Sequence, residues 1–365
     1  MDLYQFILIY KEVIMAGSTY FRQEEARYTL QLNKMLEALP RFLVEYFNSL
    51  EFTKQPRTKI AYAYDLDTFF DFLVQNNRSP LYGMDKAFLR LSDLDKVTSE
   101  DISDFLRYCK AYDNNGKIVT NSDSAIKRKL CSVRGMYKYF YRMDKIKSNP
   151  STQVDMPVIH EHNIVRLEAN EVAELLDNVE SGAKLTKHQA KVQKKLAVRD
   201  LALLTLLLGT GIRVSECVGL DITDVDFDND RIRIIRKGGA ESFVYFGNEV
   251  HEALIDYANE RKDKIPLKGH ENAFFLSRQN KRLGVRSIEI LVKKYAGTVT
   301  NIKKITPHKL RSTYGTNLYQ ESRDIYLVAD VLGHKDVNTT RRHYADMVDE
   351  NKRKARNIVK LRKED

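Results

Sequence analysis

A chain of 365 residues is long enough for two domains, each with its own core. Its 60 basic side chains against 50 acidic ones, a net charge of +10 and a pI near 9.2 favour a polyanionic partner. The apolar runs Phe6 to Tyr10 and Leu201 to Leu208 are too short to span a bilayer, which argues against a membrane role. Cys109, Cys131 and Cys217 lack the spacing of a zinc site, no paired-carboxylate motif is visible, and no signal peptide precedes them. The expectation is a protein of the reducing cytoplasm that uses no metal and no cofactor. Met15 is an alternative start to Met1.

In chain order, residues 1–29 read as an N-terminal extension and 30–155 as a helical domain. Leu43, Tyr46 and Phe47 begin one apolar stripe, and Tyr62, Leu66, Phe69, Phe70 and Leu73 form a second at helical spacing. Thr98 to Asp101 has the form of a capping box ahead of Ile102, Phe105 and Leu106, with Asp in place of the usual Glu or Gln. A last helix is predicted from about Ser122 to Tyr141, ended by Asn149-Pro150, so the segment from Leu30 to Ser148 is expected to be helical only. Its Lys127, Arg128 and Arg134 are candidates for contacts with the backbone of a polyanion. Residues 156–165 follow as a linker, with Pro157 to Asn163 extended, and 166–350 as the second domain.

Between Ser181 and Arg199 a charge run holds Lys184, Lys187, Lys191, Lys194, Lys195 and Arg199 at spacings that put several on one helical side. Lys187, Lys191 and Lys194 are read from it as phosphate contacts. Leu201 to Leu208 is a buried helix closed by Gly209-Thr210-Gly211, and Arg213-Val214-Ser215-Glu216 opens the next. Two alternating segments, Arg231 to Arg236 and Ser242 to Phe246, flank the loop from Lys237 to Glu241 and predict a hairpin with Lys237 at the loop edge. Thr306 is a good N-cap and Pro307 suits the first helical position, which puts His308 and Arg311 on one helix face, able to reach the same phosphate. Gly333 reads as the residue closing a helix from Asp324 to Leu332, leaving His334 at a helix-end corner. Val337 to Met347 reads as a further helix carrying Tyr344, the only tyrosine after His334. Tyr295, Tyr314, Tyr319 and Tyr326 are expected to pack within helices.

These late residues resemble the tyrosine recombinases, also called phage integrases, and most closely their Xer branch. The family pattern is an arginine after a T-G turn with a glutamate soon after, a lysine in a β-hairpin, H-x-x-R, G-H and a tyrosine. It maps onto Arg213 with Glu216, Lys237, His308 with Arg311, His334 after Gly333, and Tyr344, covering roughly Arg166 to Tyr344. The spacer from His334 to Tyr344 is one position longer than in many Xer relatives, with His343 interposed. The resemblance implies a mostly α fold with a small β-sheet: an N-terminal helical, SAM-like core-binding domain and an α+β catalytic domain, joined as a C-shaped clamp on duplex DNA. It implies double-stranded DNA with an inverted-repeat site as partner, self-association to a tetramer on two DNA sites, and a DNA translocase as a further partner. It also implies association with the nucleoid. Residues 351–365 are read as a C-terminal tail exchanged between protomers, with Ile358, Val359 and Leu361 as anchors, and Arg341, Arg342 and His343 as facing DNA or solvent.

Phosphodiester chemistry accounts for these residue types. Attack on phosphorus adds negative charge to its oxygens, and that charge needs fixed positive donors or a metal. Arg213 and Arg311 offer planar forks to those oxygens, with His308 and His334 as further donors. A phenol with an ordinary pKa of about 10 must lose its proton as it attacks, which makes His308 the candidate base and Lys237 the candidate acid for the departing 5′ oxygen. A covalent phosphotyrosine keeps the energy of the broken bond, so rejoining needs no ATP. Glu216 has two readings: it orients Arg213 or His308, or it pairs with a surface lysine. The expected activity is site-specific DNA recombination through a 3′-phosphotyrosyl intermediate, with chromosome dimer resolution by a single-protein Xer type as the expected role. The alternatives are an integrase or transposase of a mobile element, type IB topoisomerase-like relaxation, and a non-catalytic DNA-binding protein.

Overall fold

A computed structural model of the chain describes residues 19–114, 116–159, 165–236, 239–334, 336 and 337. The described chain forms two compact units, residues 19–159 and residues from 165 onward. Helix α1 (Thr19–Leu36) starts the first unit and runs through the boundary expected at residue 29. Helices α2 (Leu43–Ser49), α3 (Pro56–Gln75), α4 (Ser99–Lys110) and α5 (Asp123–Arg142) complete its helical frame. Pro56 sits in the first turn of α3, where a missing N–H costs nothing. Ile60, Ala63, Leu66, Phe69, Phe70 and Leu73 recur along one side of α3 and are buried. Phe69 meets Phe105 of α4 edge to face, with ring centroids 5.0 Å apart. The capping box holds with aspartate in the glutamate role: Thr98 N donates to Asp101 Oδ2 at 2.8 Å, and Asp101 N to Thr98 Oγ1 at 3.2 Å.

Two expectations for this unit change. It is not helical only, since Ala111–Asn114 (β1) and Lys117–Thr120 (β2) pair as an antiparallel hairpin. Gly116 takes a left-handed φ of +80°, Asp113 Oδ1 accepts its N–H at 2.7 Å, and β-branched Ile118, Val119 and Thr120 favour the extended return. Nor is Asn149-Pro150 what ends α5, which stops within a residue of the expected Tyr141. It ends at Arg142 because Asp144 turns left-handed at φ 52°, its N–H donating to Tyr141 O while Lys145 N donates to Phe140 O. Pro150 instead opens a 3₁₀ turn over Pro150–Gln153. Half-buried Arg134 ties that turn to α5 through Ser151 O at 3.0 Å and Val154 O.

The second unit is built around α8 (Ala197–Thr210), whose Ala202, Leu203, Leu204, Leu206 and Leu207 are buried. Packed on it are α6 (Ala169–Ser181), α10 (Asn248–Lys262) and α12 (Pro307–Ser322). The remaining helices are α7 (Lys187–Gln193), α9 (Val214–Gly219), α11 (Val285–Ala296) and α13 (Ile325–Leu332). A three-stranded antiparallel sheet runs β3 (Val225–Asp226), β4 (Arg231–Ile235), β5 (Glu241–Tyr245), with Ile235 opposite Glu241. The expected hairpin is present, with Glu241 in the strand and not in the loop. The charge run before α8 is not one helix face. Left-handed Gly182 and Lys184 break the chain, and α7 holds only Lys187 and Lys191 of the set. Lys187, Lys191 and Lys194 are exposed, whereas Arg199 is buried.

Arg199 is buried because Asp200 needs it. The Asp200 carboxylate is 1% exposed and accepts from Arg199 Nη2 at 2.5 Å, Tyr295 Oη at 2.9 Å and Lys294 Nζ at 3.3 Å. Burial lowers the Lys294 ammonium pKa, and burial together with Asp200 raises that of the Tyr295 phenol. Removing one partner of a buried ion pair leaves the other charge without compensation, so Asp200→Ala should destabilise the second unit by about 3–5 kcal/mol. Urea unfolding followed by circular dichroism measures that loss.

Candidate active site

Three chain reversals assemble the candidate site. The first closes α8. Gly211 takes φ +62° and donates to Leu207 O at 3.1 Å, a left-handed cap that turns the chain into α9. Arg213 is the N-cap residue of α9, and the 4%-exposed Glu216 holds it twice, accepting from Arg213 N at 2.8 Å and Arg213 Nη1 at 2.9 Å. One carboxylate thus satisfies an orphan N–H at the helix start and fixes the plane of the guanidinium. The partner of Glu216 is thus Arg213 and not a surface lysine.

The second reversal is the start of α12. Pro307 occupies its first turn, and Thr306 stands at the N-cap position, although its side chain makes no capping bond. His308 is exposed, while Arg311, one turn later, is 4% exposed. Arg311 Nη1 donates to Gly211 O at 2.6 Å, and its Nη2 donates to Leu332 O.

The third is the end of α13. Asp324 caps its start, accepting from Tyr326 N at 2.8 Å and Leu327 N at 3.1 Å. At the other end Gly333 has φ +62°, Gly333 N donates to Asp330 O at 2.8 Å, and His334 N donates to Ala329 O at 2.9 Å. This paired closure sets half-buried His334 at the corner. The carbonyls it leaves over are taken by arginines: Leu332 O accepts from Arg311, and Gly333 O from Arg213 Nη2 at 3.3 Å. Cations at a helix C-terminus also meet the negative end of its dipole. Arg213 and Arg311, distant in sequence, are therefore anchored on adjacent carbonyls beside His334.

One member of this cluster had no place among the sequence-derived candidates. Arg236 Nη1 donates to Leu332 O at 2.9 Å and its Nη2 to Val331 O at 3.1 Å. A signal for it exists. In the alternation from Arg231 to Arg236, the buried side chains are Ile232 and Ile234, so Arg236 falls on the inward face, where an arginine needs internal acceptors. Burial is the main influence on its pKa and lowers it, Arg213 adds to that lowering, and Glu216 works in the opposite direction. Lys237 and Tyr344, with Arg341, Arg342 and His343, lie outside the described residues. Of the late tyrosines expected to pack, Tyr295 and Tyr319 are buried and Tyr314 half-buried, but Tyr326 is 70% exposed because it points away from the packed side of α13.

Residues 165–351 match the model of the phage integrase family. The chain belongs to this family, the tyrosine recombinases. Tyrosine recombinase XerC of Caldanaerobacter subterraneus subsp. tengcongensis is 32% identical over 316 residues, 84% of this chain and 83% of the relative. Tyrosine recombinase XerS of Streptococcus mutans is 29% identical over 334 residues, 85% of this chain and 93% of the relative. The fold is that of the XerH site-specific recombinase bound to a palindromic difH substrate in a post-cleavage complex, with a TM-score of 0.61 at 18% identity over 82% of this chain and 80% of that one. The mostly helical architecture with a small sheet, expected from the family resemblance, is the one observed.

Gly211 gives a direct test of the corner that carries Arg213. A Cβ there would lie 2.4 Å from Tyr314 Cδ1 and 3.0 Å from Leu332 Cδ2, on a backbone already at φ +62°. Gly211→Ala should therefore cost roughly 1–3 kcal/mol. Gly247→Ala is the comparison, because nothing lies within 4 Å of its Cβ position and its φ of −89° suits any residue; as the N-cap of α10 it should cost only about 0.5–1 kcal/mol, the usual loss when alanine replaces a better cap. Chemical denaturation of both variants measures the difference.

Proposed function

We propose that this tyrosine recombinase exchanges DNA strands at a specific site through a 3′-phosphotyrosyl intermediate. The observation that carries the residue assignment is the anchoring of Arg213 and Arg311 on Gly211 O, Leu332 O and Gly333 O, beside His334. In this reading the two guanidiniums and His334 donate to the non-bridging oxygens of the scissile phosphate, and Glu216 keeps the Arg213 fork in plane. The Tyr344 oxygen bonds to phosphorus and passes its proton to His308. The bond from phosphorus to the 5′ oxygen breaks, and Lys237 supplies that oxygen with a proton. A 5′ hydroxyl from the partner duplex then reverses the steps and displaces Tyr344.

The biological role proposed is resolution of chromosome dimers in the cytoplasm. Similarity to XerC and XerS over most of the chain supports it, and the 93% coverage of the XerS relative favours the single-protein type. A tetramer on two inverted-repeat DNA sites, at the nucleoid and with a DNA translocase as partner, belongs to the same proposal. Residues 30–155 would serve as the core-binding domain, 166–350 as the catalytic domain and 351–365 as the exchanged tail. Of the basic side chains proposed to face DNA, Lys187, Lys191 and Lys194 are exposed. Lys127 is half-buried, and Arg128 is exposed while bonding Asp65 Oδ2 at 2.6 Å. Joined products that swap partners between two DNA molecules separate recombination from topoisomerase-like relaxation, and a library of inverted-repeat sites identifies the target.

Tyr344→Phe should bind DNA as the parent does and form no covalent adduct on a nicked suicide substrate, since only the attacking oxygen is removed. An adduct in that variant, or one mapped by peptide sequencing to Tyr326 or Tyr319, would overturn the assignment. Lys237→Ala should lose activity on ordinary DNA and regain much of it on a 5′-bridging phosphorothioate, whose sulfur leaves without a proton. Cleavage rates on the two substrates, measured side by side, check this.

A further inference from the structure

The recombinase reading uses two guanidiniums and leaves a third, Arg236, without a role. Arg236 follows the last residue of β4 on the face of Ile232 and Ile234, and its fork spans consecutive carbonyls, Val331 O at 3.1 Å and Leu332 O at 2.9 Å. Leu332 O is at the same time an anchor of Arg311, and the next carbonyl, Gly333 O, is the anchor of Arg213. Three carbonyls in a row thus hold three arginines, and Arg236 has both of its Nη groups bound there.

Gly333 is shaped around this contact. A Cβ at residue 333 would lie 2.4 Å from Arg236 Nη1 and 2.6 Å from Arg236 Cζ. The glycine therefore serves two ends: its left-handed φ closes α13, and its missing side chain admits the guanidinium. A single-point donor such as an ammonium could satisfy one carbonyl, whereas a planar fork across two fixes the direction of the last helical turn. A guanidinium also stays protonated, so Arg236 has no part in proton transfer.

We propose that Arg236 is a positioning residue for strand cleavage: by bridging Val331 O and Leu332 O it holds the helix end on which Arg213 and Arg311 are anchored, and so sets where those two meet the scissile phosphate. This rests on the recombinase reading above. A misplacement of about 1 Å in such groups costs on the order of 10²-fold in rate, far more than it costs in affinity, because many other basic side chains hold the DNA backbone.

The test uses the full chain with Arg236→Gln and Arg236→Lys. Single-turnover adduct formation is measured on a nicked suicide substrate, and again with one non-bridging oxygen of the scissile phosphate replaced by methyl. The methyl removes the negative charge that Arg213 and Arg311 neutralise. If Arg236 acts through them, Arg236→Gln loses roughly 10- to 100-fold on the ordinary phosphate and clearly less on the methylphosphonate. Arg236→Lys should fall between Gln and the parent, and DNA affinity should hold for both. A merely structural role predicts the same fold-loss on both substrates, and that result, or adduct formation at the parent rate, overturns the proposal. Should Arg236→Gln fail to fold, Arg236→Lys carries the same two-substrate comparison. If the parent protein itself forms no adduct, the recombinase reading falls; if the parent does and the variants match it, only the role of Arg236 falls.

Discussion

The candidate site depends on how α13 ends. A helix leaves its last carbonyls without intrahelical partners, and here Val331, Leu332 and Gly333 offer theirs to the guanidiniums of Arg236, Arg311 and Arg213. The left-handed Gly333 makes this possible by closing the helix on Ala329 O and Asp330 O and turning the later carbonyls outward. Arg213, Arg236, Arg311 and His334 are all tied directly to that turn.

Gathering like charges carries an electrostatic cost, and the fold offsets it with fixed dipoles and one carboxylate. Glu216 is almost fully buried against Arg213 and also acts favourably on Arg236. The C-terminal dipole of α13 adds further compensation. A guanidinium is planar, so its bonds to carbonyls fix the plane in which all five of its donors lie. The Arg213 side chain keeps 34% of its surface open. Such an arrangement places charge before the substrate arrives, so little reorganisation is left for the reaction itself.

Each unit also buries one acid among basic side chains. Asp65, fully buried in α3, accepts from Arg128, Lys129 Nζ at 3.3 Å and Ser132 Oγ at 2.8 Å, and burial raises its carboxyl pKa against the pull of those partners. Asp200 plays the corresponding part for Arg199 and Lys294. A count of basic residues along a helix therefore does not give its exposed charge: Arg199 is buried and Arg134 half-buried on Ser151 O, while Lys187, Lys191 and Lys194 are exposed.

Local grammar was legible wherever a residue's backbone preference decides the outcome. The capping box at Thr98, Pro307 in a first turn, the turn at Gly211, the helix closure at Gly333 and the β4–β5 hairpin could all be read in advance. These signals act over a few residues and need no tertiary partner. The order of Arg213, Glu216, His308, Arg311 and His334 likewise pointed to phosphodiester chemistry, because residue type limits what each side chain can donate. Sequence could not decide which charges turn inward. Arg134, Arg199 and Arg236 look like ordinary surface arginines until the carbonyls of Ser151, Leu276 and Leu332 are brought to them by packing.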